Sequence, residues 1–182
     1  MIWGRRRFLV VGGGGLAALA TPRLPRAAEV EVIDQLEVIE MKGTSRGEHV
    51  WFAPAGLAVA PGTTLRFVNR DPGNAHTATA YDPSLLDRQK RIPDAATAFD
   101  SDYLLPDEAF EVTLTVPGVY DYYCQPHEHA GMVGRIVVGR PTDAGWQGAA
   151  DPSDDLPEVA LAAFPSVEEI LAKGRVPSKE AS

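Results

Sequence analysis

Cys124 to Met132 is the stretch that most limits what this chain can become. The run Tyr122-Tyr123-Cys124-Gln125-Pro126-His127-Glu128-His129-Ala130-Gly131-Met132-Val133-Gly134 puts a thiolate, an imidazole and a thioether within nine residues, and the chain has no other cysteine. A soft thiolate with imidazole and a weak thioether is the donor set that suits copper in an electron-transfer site. Before it, Val112 to Tyr120 reads as a strand, a Pro-Gly turn and the start of a second strand, and Arg135 to Val138 reads as another. The donors therefore fall on one loop whose two ends are held by a sheet.

Such a site needs a second histidine from elsewhere in the chain. The best candidate is His76, which follows a strand ending near Asn69 and the turn-rich Asp71-Pro72-Gly73-Asn74. Taken singly, each residue has a blander reading. A lone cysteine is usually an inert small hydrophobe, a lone methionine core filler, a lone loop histidine a solvated side chain. Pro126, His127 and the Gly131-Met132-Val133-Gly134 that follow shift Cys124 toward ligation, and with Cys124 present His76 shifts with it. His129 lies two residues from His127, so on an extended stretch both would face the same way; it reads as an exposed neighbour that tunes the site. His49, in a Gly- and charge-rich turn, reads as solvated.

On these residues the chain resembles the cupredoxins of the plastocyanin, pseudoazurin and amicyanin group, over roughly residues 30 to 139. Cys124, His127 and Met132 reproduce the plastocyanin-like loop spacing, and His76 falls at the family's isolated upstream histidine. The segment Trp51 to Asn69 resembles the second and third strands of these proteins. The resemblance implies a Greek-key β-sandwich and a single type 1 copper bound by His76, Cys124, His127 and Met132. It also implies that His127 reaches the surface among apolar residues where partners dock, and that Tyr123 offers a second exit for the electron. The chain departs from the pattern at Thr77, where many members have an asparagine that ties the two ligand loops together. Asn74 would substitute only if its loop folded back.

Export is the expected fate. Gly4-Arg5-Arg6-Arg7-Phe8-Leu9 matches a twin-arginine signal, and the apolar run from Phe8 to Ala20 has the length of a signal-peptide core rather than of a membrane span. Ala18-Leu19-Ala20 offers one cleavage site and the region of Ala27 and Ala28 a later one, which points to the periplasm; an uncleaved N-terminal anchor is the alternative. A single cysteine in an oxidising compartment forms no internal disulfide, and metal ligation explains its presence.

The formal net charge of the whole chain is −8, with 17 Lys and Arg against 25 Asp and Glu. Residues 1–28 hold five arginines and no acid, so their removal leaves about −13. Such a surface disfavours nucleic acid and anionic membranes. It attracts positively charged partners over long range, with cationic c-type cytochromes as candidate redox partners; solubility alone is the plainer reading of the same charge. The expected protein is a monomer.

The domain plan is a signal peptide at 1–28, a cupredoxin domain at 29–139, and a linker with a short helical extension at 140–182. Strands are expected at about 30–40, 50–53, 57–60, 64–69, 76–81, 111–116, 119–124 and 133–138, with apolar and polar residues alternating in several. Asp82 to Asp87 reads as the start of a short helical turn. Arg140 to Asp155 is rich in Gly, Pro and Asp and reads as linker. Ser166, with Glu169 three residues on, caps a short helix to Lys173. The fold class is thus all-β, a sandwich with a short C-terminal helix.

The expected function is one-electron transfer, not enzymatic catalysis. A copper carrier or storage protein is one alternative, although three methionines, one of them the initiator, are few for it. Four histidines are too few for a copper enzyme with additional metal centres. A red-copper site using Glu128 is the third alternative, with Glu128 pointing away from His127 if the stretch is extended.

Overall fold

A computed structural model describes residues 36–44, 46 and 49–179. The expected signal peptide and its cleavage sites lie outside these residues. Among the described residues, nine strands form two sheets: β1 (Leu36–Gly43), β2 (Val50–Ala53), β3 (Gly56–Val59), β4 (Thr63–Asn69), β5 (Thr79–Ala80), β6 (Ala109–Leu114), β7 (Gly118–Tyr123), β8 (Val133–Val138) and β9 (Arg175–Val176). Helices α1 (Glu158–Ala163) and α2 (Val167–Lys173) precede β9. One sheet has the order β2-β1-β4-β6 and the other β5-β7-β8-β3-β9. The β1–β4 and β3–β8 pairs are parallel and the remaining ladders antiparallel. Consecutive strands β2 and β3 thus belong to different sheets, and the chain crosses the sandwich rather than meandering.

The inner faces obey the period-two rule of strands. Ile39, Met41, Phe52, Leu65 and Phe67 from the first sheet meet Leu57, Tyr120, Tyr122 and Ile136 from the second. Tyr122 stands edge-on to Phe52 and Phe67, with ring centroids 4.7 and 5.2 Å apart. Cys124 and Met132 belong to the same buried cluster. The floor of the ligand loop is therefore the hydrophobic core itself.

Alternation stops at β7 and β8, where every residue is buried. The reason is the C-terminal extension, which covers the outer face of the second sheet. Tyr81, Tyr123 and Val133 pack with Leu156, Ala160 and Phe164, while Val119 and Val137 pack with Ile170 and Val176. A strand covered on both faces reads as a near-continuous apolar run, and Tyr120-Asp121-Tyr122-Tyr123 with Arg135-Ile136-Val137-Val138 is such a run broken by two charges. Those charges pair. Arg135 Nε lies 2.7 Å from Asp121 Oδ1 and Arg91 Nε 3.0 Å from Oδ2. The two guanidiniums reach on to the carbonyls of Pro165 and Asp151 and lie beside the Phe164 ring.

The segment expected to be a linker is thus pinned to the sandwich, because the buried arginines need its carbonyls and the apolar outer face needs its side chains. The Gln147 carbonyl accepts the Val119 N–H at 2.9 Å, and Asp155 Oδ2 accepts the Gln89 N–H at 2.7 Å. The α2 cap forms as its sequence dictates, with Ser166 Oγ accepting the Glu169 N–H at 3.1 Å. By contrast α1 has no side-chain cap, so its start carries no such signal in the sequence. The stretch after Asp82 is a turn rather than a helix: Asp82 binds Ser84 through its side chain, and Leu86 and Asp87 have positive φ, which breaks a helix.

Candidate metal centre

His76 is fixed before any metal is considered. Its backbone pairs with Leu104 in both directions, at 3.1 and 2.8 Å. The Asn69 side-chain amide at the end of β4 donates to the carbonyls of Asn74 and Leu104, at 2.8 and 2.9 Å, and holds the intervening turn closed. The imidazole is fully buried, with Nε2 3.1 Å from Asp71 Oδ2. A carboxylate there places the ring proton on Nε2, since a carboxylate only accepts. The lone pair of Nδ1 is then free.

Cys124 follows β7 directly, and Gln125–Ala130 forms a 3₁₀ segment, so the condition of an extended stretch is not met. Pro126 suits its first turn, where a missing N–H costs nothing. Gly131 closes the segment at φ 78°, a left-handed conformation that suits glycine, and its N–H reaches the Glu128 carbonyl at 2.9 Å. The Met132 backbone then bonds Cys124 and His127, at 3.0 and 3.1 Å. The loop is thereby locked between β7 and β8, with Met132 buried at its far end.

The two loops bring three donors together. His76 Nδ1 and His127 Nδ1 are 3.2 Å apart, and Cys124 Sγ lies 3.5 and 3.3 Å from them. Atoms so spaced lie on a circle of radius about 1.9 Å, close to the roughly 2.0–2.3 Å of nitrogen and thiolate bonds to a first-row metal ion. Among the described residues, His76, Cys124 and His127 are the group of His, Cys, Asp and Glu side chains whose donors converge in this way. Burial pushes the Cys124 thiol up to about 12, against the opposing N–H groups of Thr77 and His127. Burial also lowers both imidazoles; Asp71 opposes this at His76, and the His76 ring adds to it at His127. Two neutral imidazoles and a thiol that yields its proton to a metal make a competent soft site.

Thr77 takes up the tie between the loops. Its N–H points at Cys124 Sγ from 3.3 Å, and its hydroxyl accepts the Gln125 N–H at 2.9 Å. The Gln125 side chain continues the link to Thr79 and Asp100. Asn74 does not make this tie; its amide goes to Asp71 at 2.8 Å.

The other candidates fall outside the cluster. His129 is exposed on the 3₁₀ segment, where residues two apart no longer share a face, and His49 is exposed in the β1–β2 turn. Glu128 is buried, but its carboxylate accepts the Tyr81 hydroxyl at 2.7 Å and the Arg88 guanidinium at 2.6 and 2.9 Å. Tyr123 is only 2% exposed, stacked on Tyr81 at 4.3 Å between ring centroids beneath the C-terminal extension. It offers no surface exit, because the extension occupies the face through which it would leave. Asp71 was legible in sequence only as a turn residue; its position five residues before His76 was the available signal.

The family described as copper binding proteins, plastocyanin/azurin family, matches residues 39–139. A plastocyanin of Chlamydomonas reinhardtii is 36% identical over 137 residues, covering 73% of this chain and 82% of that protein. The plastocyanin of Hordeum vulgare is 36% identical over 91 residues, 48% of this chain; the match spans only 54% of the barley protein's length. Among solved structures, a pseudoazurin from Methylobacterium extorquens aligns at 26% identity and a TM-score of 0.45, covering 60% of this chain and 79% of that one.

Proposed function

This chain belongs to the plastocyanin/azurin family of copper-binding proteins, and from that premise we propose that it is an exported one-electron carrier with a single type 1 copper. The observation that carries the reading is the convergence of His76 Nδ1, Cys124 Sγ and His127 Nδ1 from two loops at 3.2–3.5 Å. When bound, copper supplies the one-electron Cu(II)/Cu(I) couple. Cys124 would hold it as thiolate with His76 and His127, and Met132 would add a weak thioether donor. The chain holds these groups by backbone bonds within the loop and by the Thr77–Gln125 tie between loops. Little rearrangement is then left for a change of oxidation state to drive.

His76 is sealed in the core, whereas His127 is partly exposed. The electron therefore leaves through the His127 ring, and partners dock over it. Tyr103 and Leu105 stand 54% and 57% exposed on either side of Leu104, which is paired to His76. Exposed Asp100, Asp102, Asp107 and Glu108 surround them. An apolar centre with an acidic rim suits a positively charged redox protein such as a cationic c-type cytochrome. Export rests on the twin-arginine and apolar segments of residues 1–20, and the periplasm is the proposed compartment. Among the described residues no helix is long and apolar enough to cross a membrane.

The alternatives are less well supported. A red-copper site would need the Glu128 carboxylate, which Tyr81 and Arg88 already hold. A copper carrier would present its methionines on accessible segments, whereas Met41 and Met132 are both fully buried. The test is absorption spectroscopy of the copper-loaded protein. One equivalent of copper should produce an intense thiolate–copper band toward the red end of the visible spectrum, and Cys124→Ser should abolish it. A Cys124→Ser protein that kept its colour would overturn the assignment.

A further inference from the structure

Asp71 stands two residues beyond β4 in a turn, and one of its carboxylate oxygens is enough for that turn. Oδ1 accepts the Gly73 N–H at 2.8 Å, closing the loop over Pro72. Oδ2 is turned the other way. It lies 3.1 Å from His76 Nε2 and accepts the Asn74 side-chain amide at 2.8 Å. The side chain is 1% exposed. It is also confined from behind, since a Cβ on Gly43 would sit 2.0 Å from Oδ2. The Asp71 N–H is held by Asn69 Oδ1 at 2.9 Å. A buried carboxylate fixed on so many sides is set against one nitrogen of a ring whose other nitrogen faces Cys124 and His127.

We propose that Asp71 is a positioning residue that orients His76, strengthens it as a donor and lowers the reduction potential of the centre. The inference rests on the copper reading above. A carboxylate behind a metal-bound imidazole fixes the tautomer and the ring plane and raises ligand basicity. Stronger nitrogen donation and a nearby buried negative charge both favour Cu(II) over Cu(I). Among the described residues, the side-chain bonds of His127 run to His76 and Cys124 and to no carboxylate. The two imidazoles are therefore unequal: His76 is the stiff, electron-rich donor in the core and His127 the partly exposed one through which the electron passes. Gly43 in β1 belongs to the same device, because any side chain there would push Oδ2 off the ring.

The experiment measures the reduction potential of the copper-loaded full chain and of two variants, Asp71→Asn and Gly43→Ala. Asp71→Asn keeps the size and the turn acceptor but removes the charge. Gly43→Ala keeps the charge but displaces it from His76. Changing a group that hydrogen-bonds a metal-bound imidazole alters metal affinity by about 10–100-fold. A tenfold loss borne by Cu(II) and not by Cu(I) raises a one-electron potential by about 59 mV. Asp71→Asn should show a rise of at least that size and Gly43→Ala a smaller rise in the same direction, both with the thiolate–copper band retained. In the Cu(I) wild type, the His76 Nε2 proton should give a slowly exchanging downfield NMR signal that Asp71→Asn loses. Coloured variants with unchanged potentials, or a fall in Asp71→Asn, overturn the proposal and leave the copper reading standing. A wild type that forms no thiolate–copper band overturns both. If Asp71→Asn fails to fold, the Gly43→Ala potential and the wild-type proton signal decide.

Discussion

His127 and His129 carry the same donor atoms two residues apart, and the backbone between them decides which one faces Cys124. In the 3₁₀ segment His127 Nδ1 lies 3.3 Å from Sγ while His129 is exposed. His127→Ala should therefore destroy or strongly distort the visible spectrum of the copper-loaded protein, and His129→Ala should leave it nearly unchanged. Bleaching by His129→Ala with the His127→Ala spectrum intact would reverse the assignment. Met132 is a subtler case. Its backbone closes the loop whatever its side chain, so Met132→Leu should keep copper bound while raising the reduction potential, because an apolar side chain would remove the proposed weak thioether donor, which favours Cu(II). Voltammetry showing no shift or a fall would remove Met132 from the ligand set. The spacing Cys124, His127, Met132 was readable in sequence because all three lie on one short loop whose geometry is set locally. Asp71, Thr77 and Glu128 were not readable in their roles, since each acts on a partner more than four residues away.

At the scale of elements, the ligand loop owes its rigidity to the strands at its ends and the sandwich owes much of its cover to the C-terminal extension. Six of the eight strands expected from alternation and turn signals appear within two residues of their expected bounds; of the one expected at about 30–40, residues 30–35 lie outside the described residues and Leu36–Gly43 is a strand. The 76–81 strand shrinks to Thr79–Ala80, because the backbone of His76 is committed to Leu104 instead of to a long ladder. The extension was read as linker and short helix for a physical reason: Gly-, Pro- and Asp-rich chain has no propensity of its own, and its order comes from Asp121, Arg91 and Arg135 across the second sheet. Ile170 tests how far the extension belongs to the fold. It is fully buried against Val119, Val137 and Val176, and truncating a buried Ile costs about 2–5 kcal/mol. Ile170→Ala should lower the free energy of unfolding by that amount, read as a lower urea midpoint at unchanged slope in a single transition followed by both tryptophan fluorescence and circular dichroism. An unchanged midpoint would show that the extension docks without contributing to the cooperative unit.

For the whole molecule, the decisive quantity is charge. With 25 acidic against 17 basic residues, the field favours cationic partners, and the exposed acids of residues 100–108 concentrate it beside Leu104. The second-order rate of reduction by a small cationic complex should fall as ionic strength rises from about 0.01 M to 0.15 M, over which the screening length shrinks from about 30 to 8 Å. The rate with an anionic complex of similar potential should rise over the same range. Stopped-flow traces that move together for both would mean that the net charge serves solubility alone. Covering Tyr123 adds a second consequence at this scale: with the outer face of the second sheet occupied, the proposed electron transfer would have to pass through the partly exposed His127 edge.

The amino-acid sequence by itself determined the donor chemistry, the loop that carries most of it and the alternation that makes a sandwich. These depend on residue type and on distances along a few residues of chain, which spacing encodes directly. Tertiary structure alone decided that His76 meets Cys124 across 48 positions, that Asp71 stands behind His76, that Thr77 ties the loops, and that the extension buries Tyr123. Each of these depends on which strands pair and in what register. Register is fixed by the burial of side chains from both sheets at once, so no local window of sequence contains it.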